Sequence, residues 1–377
     1  MMHHHRGFGV VTFGVFAAMA CADSKSQNGP GTPGTGGCSG AACGLGGAGV
    51  GGTLIGTGGG AGGAMPGGGM GGIAGTSTGG QPEACTPLKL AQGTSSPDGI
   101  TALHSPSADA FGDVYGSGIA LADGYVYFDY KSELMRVSAM GGAPQSLHAV
   151  KDLNVVFFVI GGELVWIEQD PNTMAYGISK VPVTATDSTA PTVVASAIDT
   201  PDVYATDAKA VYFSNRDKNI VYRAPLDGSG VTSLTTNAEP LGAVVVGGTY
   251  YFLDFSNRLM SVPTSGGTAT ALVNIQFGGN MAADGSTLYW SDTSDETVNR
   301  WAPGDKNPTV LAMFALLEGA GSIAVEKGDV YYTPQGFGCG GIGRVPADGS
   351  KVTRIANGFD SPSGIAVDAD NVYVVAW

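Results

Sequence analysis

From residue 120 to the C-terminus, short runs of alternating apolar and polar positions recur along the chain. Each recurrence has a small residue, an acid or Gly, a turn of two or three residues, and a triplet built as apolar–Tyr–apolar. The triplets centre on Tyr127, Val165, Tyr212, Tyr251, Tyr289, Tyr331 and Tyr373, at separations of 38, 47, 39, 38, 42 and 42 residues. Period-two alternation rich in aromatic and β-branched residues predicts strands. A repeat near forty residues predicts the blades of an all-β propeller. A single blade leaves both of its faces bare, so the repeats must stack around an axis.

Blade five shows the parts most plainly. Residues 280–284 read as an inner strand ending in an acid, Gly285-Ser286 turns the chain, and 287–292 form an aromatic-rich second strand. Residues 297–301 and 308–311 follow as third and outer strands, which makes one four-stranded antiparallel sheet. The third strand recurs at 134–137, 178–181, 221–224, 259–262 and 342–345. Turns such as Asp227-Gly228, Gly266-Gly267 and Asp348-Gly349 follow it, since these pairs accept the positive φ angles of tight hairpins.

The strand count bears on the number of blades. Seven first-and-second strand pairs are predicted, but the last, 364–367 with 372–375, runs straight into Trp377. Only six third-and-fourth pairs follow. Leu88 to Ala91 and Ile100 to Leu103, with a Ser-Pro-Asp-Gly turn at 96–99 between them, have the form of the missing pair. Seven blades over residues 85–377, closed by that N-terminal pair, are the preferred architecture, and six the alternative.

Tyr289-Trp290-Ser291-Asp292 resembles the Tyr-Trp-Thr-Asp repeat of the low-density-lipoprotein-receptor class of propellers. Arg223, followed by Leu226-Asp227-Gly228-Ser229, resembles the Arg-x-x-Leu-Asp-Gly-Ser tail of the same repeat. The resemblance implies six blades and a protein-binding module rather than an enzyme.

Upstream of residue 85 the polymer changes character. Residues 26–82 hold no Asp, Glu, Lys or Arg and are dominated by Gly. A stretch with so little to bury predicts a disordered linker, placed here at 21–84. Ahead of it, Arg6 precedes an apolar run from Gly7 to Ala20, too short to span a bilayer and of the length of a signal-peptide core. The run ends Ala18-Met19-Ala20-Cys21, which resembles a bacterial lipoprotein cleavage box. That resemblance implies a signal peptide at 1–20, lipidation of Cys21, and a place at the bacterial cell envelope, on the outer membrane or cell surface. The lipid is then the only membrane attachment, and plain secretion is the alternative. Of the other cysteines, Cys85 and Cys339 are expected to form a disulfide pinning the N-terminal segment to the ring. Cys38 and Cys43 would pair locally or stay free.

The formal net charge of −14 repels a phosphate backbone, so no nucleic-acid partner is expected. His104 and His148 are the only histidines beyond the signal, which excludes a His-rich metal site. Five acids, Asp123, Asp207, Asp284, Glu326 and Asp368, end the inner strands. They read as acceptors for their own turn backbones, or as an oxygen ring suited to Ca²⁺; no other cofactor is expected. A second set, Asp129, Glu168, Asn215, Asp254 and Asp292, follows the triplets and is expected to meet Arg136, Lys180, Arg223, Arg300 and Arg344 on the third strands.

The loops joining second to third strands, and one blade to the next, carry Asp113, Tyr115, Glu168, Asp170, Asp199, Asp202, Asp217, Phe255, Phe277, Asp295 and Glu296. Acids among aromatics suit a cation, a sugar or a basic protein segment. The expected function is a non-enzymatic, monomeric binding module recognising a protein or glycan partner on this loop face. A metal-dependent hydrolase or lyase of the lactonase-like propeller type, and a structural surface protein, are the alternatives.

Stable anchoring takes two acyl chains, since a single myristoyl chain binds membranes only marginally. Intact-mass analysis of the mature protein is therefore expected to find Cys21 at the N-terminus and diacylated. An unmodified Cys21, or release into the medium without detergent, overturns the anchor.

Overall fold

A computed structural model of the chain describes residues 101–103, 118–151, 155–292, 294–314, 320–334, 339–360 and 362–375. The expected signal peptide and linker, and Cys21, Cys38, Cys43 and Cys85, lie outside these residues. Six four-stranded antiparallel sheets, spanning 119–149, 156–198, 204–236, 240–274, 281–313 and 320–360, are arranged as a propeller. In every sheet the strands keep chain order from the inside outward. A two-stranded sheet, Gly364–Val367 with Val372–Val375, follows. Its first strand lies beside the inner strands of both the sixth blade, Ala320–Glu326, and the first, Ile119–Ala122, so the ring of inner strands closes.

Six four-stranded blades match the smaller of the two counts drawn from the sequence. The outer pair expected to complete the two-stranded sheet, 88–91 and 100–103, lies outside the described residues except for Thr101–Leu103. Cys339 opens the third strand of blade six, Cys339–Val345, paired with Asp360, so this strand starts ahead of the expected 342–345. Its proposed partner Cys85 is among the residues not described.

One rule of facing holds the ring together. The centre of each triplet packs toward the following sheet, and its two neighbours pack toward the preceding one, because successive strand residues point to opposite faces. Tyr212 joins Tyr250, Phe252 and Val262 of blade four, whereas Val211 and Phe213 join Val165, Ile167 and Ile178 of blade two. Tyr289 faces blade six, and Leu288 and Trp290 face blade four. Leu164 and Trp166 pack on Tyr127 and Leu134 of blade one. The two-stranded sheet obeys the same rule: Tyr373 packs with Ile119, Val126 and Phe128 of blade one, while Val372 and Val374 pack with Ala324 and Ile342 of blade six. Seven apolar clusters therefore lie one at each junction between neighbouring sheets. Burying each large side chain contributes about 1.5–3 kcal/mol relative to leaving it in water.

Turns inside the blades follow the same logic of fit. Asp123-Gly124 joins the first two strands of blade one with φ of 51° and 78°, the left-handed pair that a two-residue hairpin of matching twist requires. Close approaches between neighbouring inner strands call for small residues. A Cβ at Gly242 would lie 2.0 Å from the Gly279 carbonyl oxygen of the next blade, so only glycine permits that approach. Side chains reach forward by one repeat at the same level: Asn280 Nδ2 donates to the Gly321 carbonyl at 2.9 Å, and Ser322 Oγ to the Ser363 carbonyl at 2.6 Å.

The third-strand bases stand cross-strand from the triplet centres, as Arg136 with Tyr127, Lys180 with Val165, Arg223 with Tyr212, Arg300 with Tyr289 and Arg344 with Tyr331. The expected pairing with the acids after the triplets is not what forms. The bases lean the other way, toward the first turn: Lys180 lies 3.4 Å from Glu163, and Arg344 Nε donates to Asp329 at 2.8 Å. Arg136 bonds Gln145 and the Val183 carbonyl of blade two, and Arg223 Nε reaches the Tyr212 hydroxyl at 3.4 Å. The physical reason is that the acids after the triplets are already engaged by backbone amides at the opposite end of the sheet.

Leu164 is fully buried at the junction of blades one and two. Leu164→Ala is expected to lower stability by about 2–5 kcal/mol, the usual range for a truncated core leucine. Urea unfolding measures it, and a loss below about 1 kcal/mol would contradict a tightly packed junction.

Candidate functional site

Because each sheet has four antiparallel strands in chain order, the turns between second and third strands emerge at the same end as the links between blades. Acids and an amide just after the triplets brace this end from within. Asp129 Oδ1 accepts from the Gly118 N–H at 3.0 Å, Glu168 Oε2 from Lys151 N–H at 2.8 Å, and Asp292 Oδ2 from Phe277 N–H at 2.9 Å. Asn215 works in reverse, its Nδ2 donating to the Asp199 carbonyl at 3.2 Å. Each of these ties the end of a second strand to the chain entering its own blade. Asp254 instead holds its own turn, accepting from Arg258 N–H at 2.9 Å and Arg258 Nε at 3.0 Å. Asp129, Asn215, Asp254 and Asp292 are buried. A buried carboxylate is tolerated only when so supplied with donors.

Several predicted face residues prove to be part of this bracing. Glu168 is one. Asp170 is another: it accepts from the N–H groups of Asn172 and Thr173, and those bonds, helped by Lys151 at 3.4 Å, hold its carboxyl below the usual range. Phe277 and Asp295 both donate backbone N–H groups to Asp292. Glu296 occupies a left-handed turn position at φ 53°, with its carbonyl accepting from Phe314 N–H. These residues belong to two separate blades, Glu168 and Asp170 to blade two and Phe277, Asp295 and Glu296 to blade five. Asp113 and Tyr115 lie outside the described residues.

Asp199, Asp202, Asp217 and Phe255 do come together, on the link into blade three and the second-to-third turns of blades three and four. Lys218 Nζ stands 2.7 Å from Asp199, and this contact depresses the Asp199 carboxyl below its ordinary value. Arg216 Nη2 stands 2.7 Å from Asp202, and its guanidinium carbon lies 5.1 Å from the centre of the Phe255 ring. Phe255 is 45% exposed, one of few large apolar side chains open to water, and Asp217 sits between the two bases in the same exposed turn. The Nε of Arg216 is buried with no hydrogen-bond partner. Arg216 and Lys218 were not singled out from the sequence. The run Arg216-Asp217-Lys218 was the available signal.

Three of the five inner-strand acids accept from backbone amides. Asp207 Oδ1 accepts from Lys209 and Ala210 N–H groups, and Asp368 Oδ1 from those of Asp370 and Asn371. Both fit the own-turn reading. Asp284 differs, since its Oδ2 accepts at 2.8 Å from Gly328 N–H of the next blade. Asp123 is itself a turn residue, and Glu326 lies 3.6 Å from Lys327. Among the described residues no group of three or more His, Cys, Asp or Glu is placed to hold a metal ion.

No family model and no curated protein matches the chain. Similar solved structures include the nidogen/laminin complex, at 14% identity and a TM-score of 0.45 over 62% of this chain and 95% of that one. The computationally designed Ika8 protein is similar at 12% identity and 0.48, over 69% and 80%. TolB from Acinetobacter baumannii is similar at 15% identity and 0.42, over 58% and 57%. At such values neither ligand nor activity carries across.

Bracing acid and surface aromatic separate by mutation. Asp254→Ala removes a buried acceptor of three bonds from Arg258, two of them charge-assisted, and is expected to lower stability by about 2–3 kcal/mol. The adjacent Phe255→Ala is expected to stay within about 0.5 kcal/mol, as exposed substitutions do. Calorimetric unfolding of the two variants checks both, and equal losses would contradict the division of roles.

Proposed function

We propose that this chain is a non-enzymatic binding module, tethered to a bacterial envelope through a lipid on Cys21, whose loop face receives a basic segment of a protein partner. One observation supports this reading above the others. Arg216 lies over the exposed Phe255 ring and against Asp202, in the place where a partner's guanidinium would be held by cation–π attraction and a carboxylate. Asp199 and Asp217 extend the same negative, partly apolar patch, and the net charge of −14 favours encounter with a basic partner. Arg216 then acts as an internal occupant that a better-placed basic side chain displaces, leaving it to turn to solvent.

The metal-dependent hydrolase reading gains no such support. Of the acids it would need, Asp207 and Asp368 accept from backbone amides on one oxygen and from a tyrosine hydroxyl on the other, and Asp284 Oδ2 accepts from a backbone amide.

A fluorescent arginine nonapeptide titrated into the mature chain tests the proposal. Binding is expected at low salt, with weakening as salt rises, because exposed charges are screened beyond about 10 Å at 0.1 M. Asp202→Asn and Phe255→Ala are each expected to weaken it about fivefold, the worth of an exposed cation–π or ion-pair contact. Wild-type affinity in both variants, or equal binding of a glutamine nonapeptide, contradicts the proposal.

A further inference from the structure

Two clefts open side by side at the end of the sheets opposite the loop face. One, of about 380 Å³, lies between blades two and three, and the other, of about 530 Å³, between blades three and four. Both fall in the range of small-molecule sites, about 300–1,000 Å³. Lys209 and Arg223 of blade three line both clefts. In a chain of net charge −14, neither of these bases makes an ion pair among the described residues.

The repeat explains why Arg223 is left uncompensated. Elsewhere the third-strand base meets the residue two before its triplet centre. Lys180 meets Glu163, Arg344 meets Asp329, and the Arg136 guanidinium carbon lies 4.6 Å from the centre of the Tyr125 ring. In blade three that residue is Ala210, which is fully buried. The one side-chain hydrogen bond of Arg223 among the described residues runs from Nε to the Tyr212 hydroxyl at 3.4 Å, so both terminal nitrogens are unengaged. Lys209 adds a second positive charge from the adjacent turn. Its N–H donates to Asp207 and its carbonyl accepts from Leu226 N–H, which fixes the turn while the side chain stays exposed. Blade five also lacks the acid, with Thr287 in its place, but its turn carries Ser286 where blade three has Lys209.

The neighbouring acids do not fill the gap. Asp207 is supplied on both oxygens, by the Lys209 and Ala210 N–H groups and by the Tyr212 hydroxyl. Asp227 Oδ1 accepts from Ser229 N–H at 2.9 Å. Glu163, in the cleft between blades two and three, turns Oε1 to Lys180 at 3.4 Å, while its Oε2 is buried with no hydrogen-bond partner. One cleft therefore holds an open guanidinium fork, a free ammonium and an acceptor that lacks a donor.

We propose that the cleft between blades two and three binds a sugar acid, a monocarboxylate that carries hydroxyls. Its carboxylate lies on Arg223 and Lys209, and one hydroxyl donates to Glu163 Oε2. A guanidinium offers a carboxylate two parallel N–H donors, a geometry that an ammonium alone lacks. Pro225 and Leu226 line the same cleft and offer apolar surface to the C–H face of a sugar ring. A doubly charged phosphate meets the Glu163 carboxylate unfavourably, and a carboxylate without hydroxyls leaves Glu163 Oε2 unpaired. The site is independent of what the loop face binds.

Calorimetric titration of D-glucuronate into the full-length chain tests the proposal. Glucuronate is expected to bind at least about fivefold more tightly than propionate or inorganic phosphate, the worth of satisfying one buried acceptor, and D-glucose not at all. Arg223→Gln is expected to weaken glucuronate at least about tenfold, and the exposed Lys209→Ala about two- to threefold. Glu163→Ala is expected to bring the glucuronate-to-propionate ratio down to about one, a change that mere loss of the Lys180 ion pair would not produce. No saturable binding of glucuronate, equal or tighter binding of propionate, phosphate or glucose, or wild-type affinity in Arg223→Gln or Lys209→Ala overturns the proposal. An unchanged ratio in Glu163→Ala also overturns it.

Discussion

No sheet of this protein covers its own faces, and that constraint dictates the rest. Each triplet resolves it by giving its centre to the following sheet and its neighbours to the preceding one, as Tyr212 and its flanking Val211 and Phe213 do. The forty-residue period is the length of chain needed to lay down four short strands and return to the axis. The same inward crowding explains why glycine stands where Gly242 meets Gly279. It also explains why Ser322 and Asn280 spend their polar groups on carbonyls one repeat ahead. A ring built this way has no free sheet face until its last junction, where Tyr373 and Val375 meet blade one and Leu103.

The acids divide by what they hold. Those after the triplets, such as Asp129 and Asp292, are buried and fasten the chain entering their blades. Those ending the inner strands, such as Asp207, fasten turns at the opposite end. With these structural duties assigned, the exposed charge around Phe255 stands apart. Its ion pairs join side chains that can exchange partners, since Asp199 and Lys218 are both largely open to water. Exposed pairs of this kind contribute only about 0–1 kcal/mol, so giving one up to a partner costs the fold little.

Strand type, blade period and tight turns were legible in the sequence, because alternation and Asp-Gly or Gly-Gly pairs act locally. The third-strand bases were legible as a repeat, but their partners were not. Alternation tells which face a side chain takes, and says nothing of which way along the strand it leans. Arg344 therefore met Asp329, before its triplet, and no acid after one. Asp284 was misread for a related reason: its acceptor role crosses to Gly328 of the next blade, and sequence distance hides that proximity. The six four-stranded sheets and the two-stranded one repeat the count of seven inner pairs against six outer pairs. The patch at Phe255 was only half legible. Phe255, Asp199, Asp202 and Asp217 stood out as loop residues, whereas Arg216 and Lys218 looked like ordinary solvated charge. Nothing in the pattern brought the turns of blades three and four together.

The central claim is that the sheets are stable only against one another, around the whole ring. Residue-resolved amide exchange in increasing, sub-denaturing urea tests it most directly, because the urea slope of each amide reports the surface exposed when it opens. The second strands Tyr125–Tyr130, Tyr212 with its neighbours, Thr287–Asp292 and Val372–Val375 are predicted to converge on one opening free energy and one slope, that of global unfolding. Opening of one blade with its own smaller slope, while the others stay protected, would contradict it.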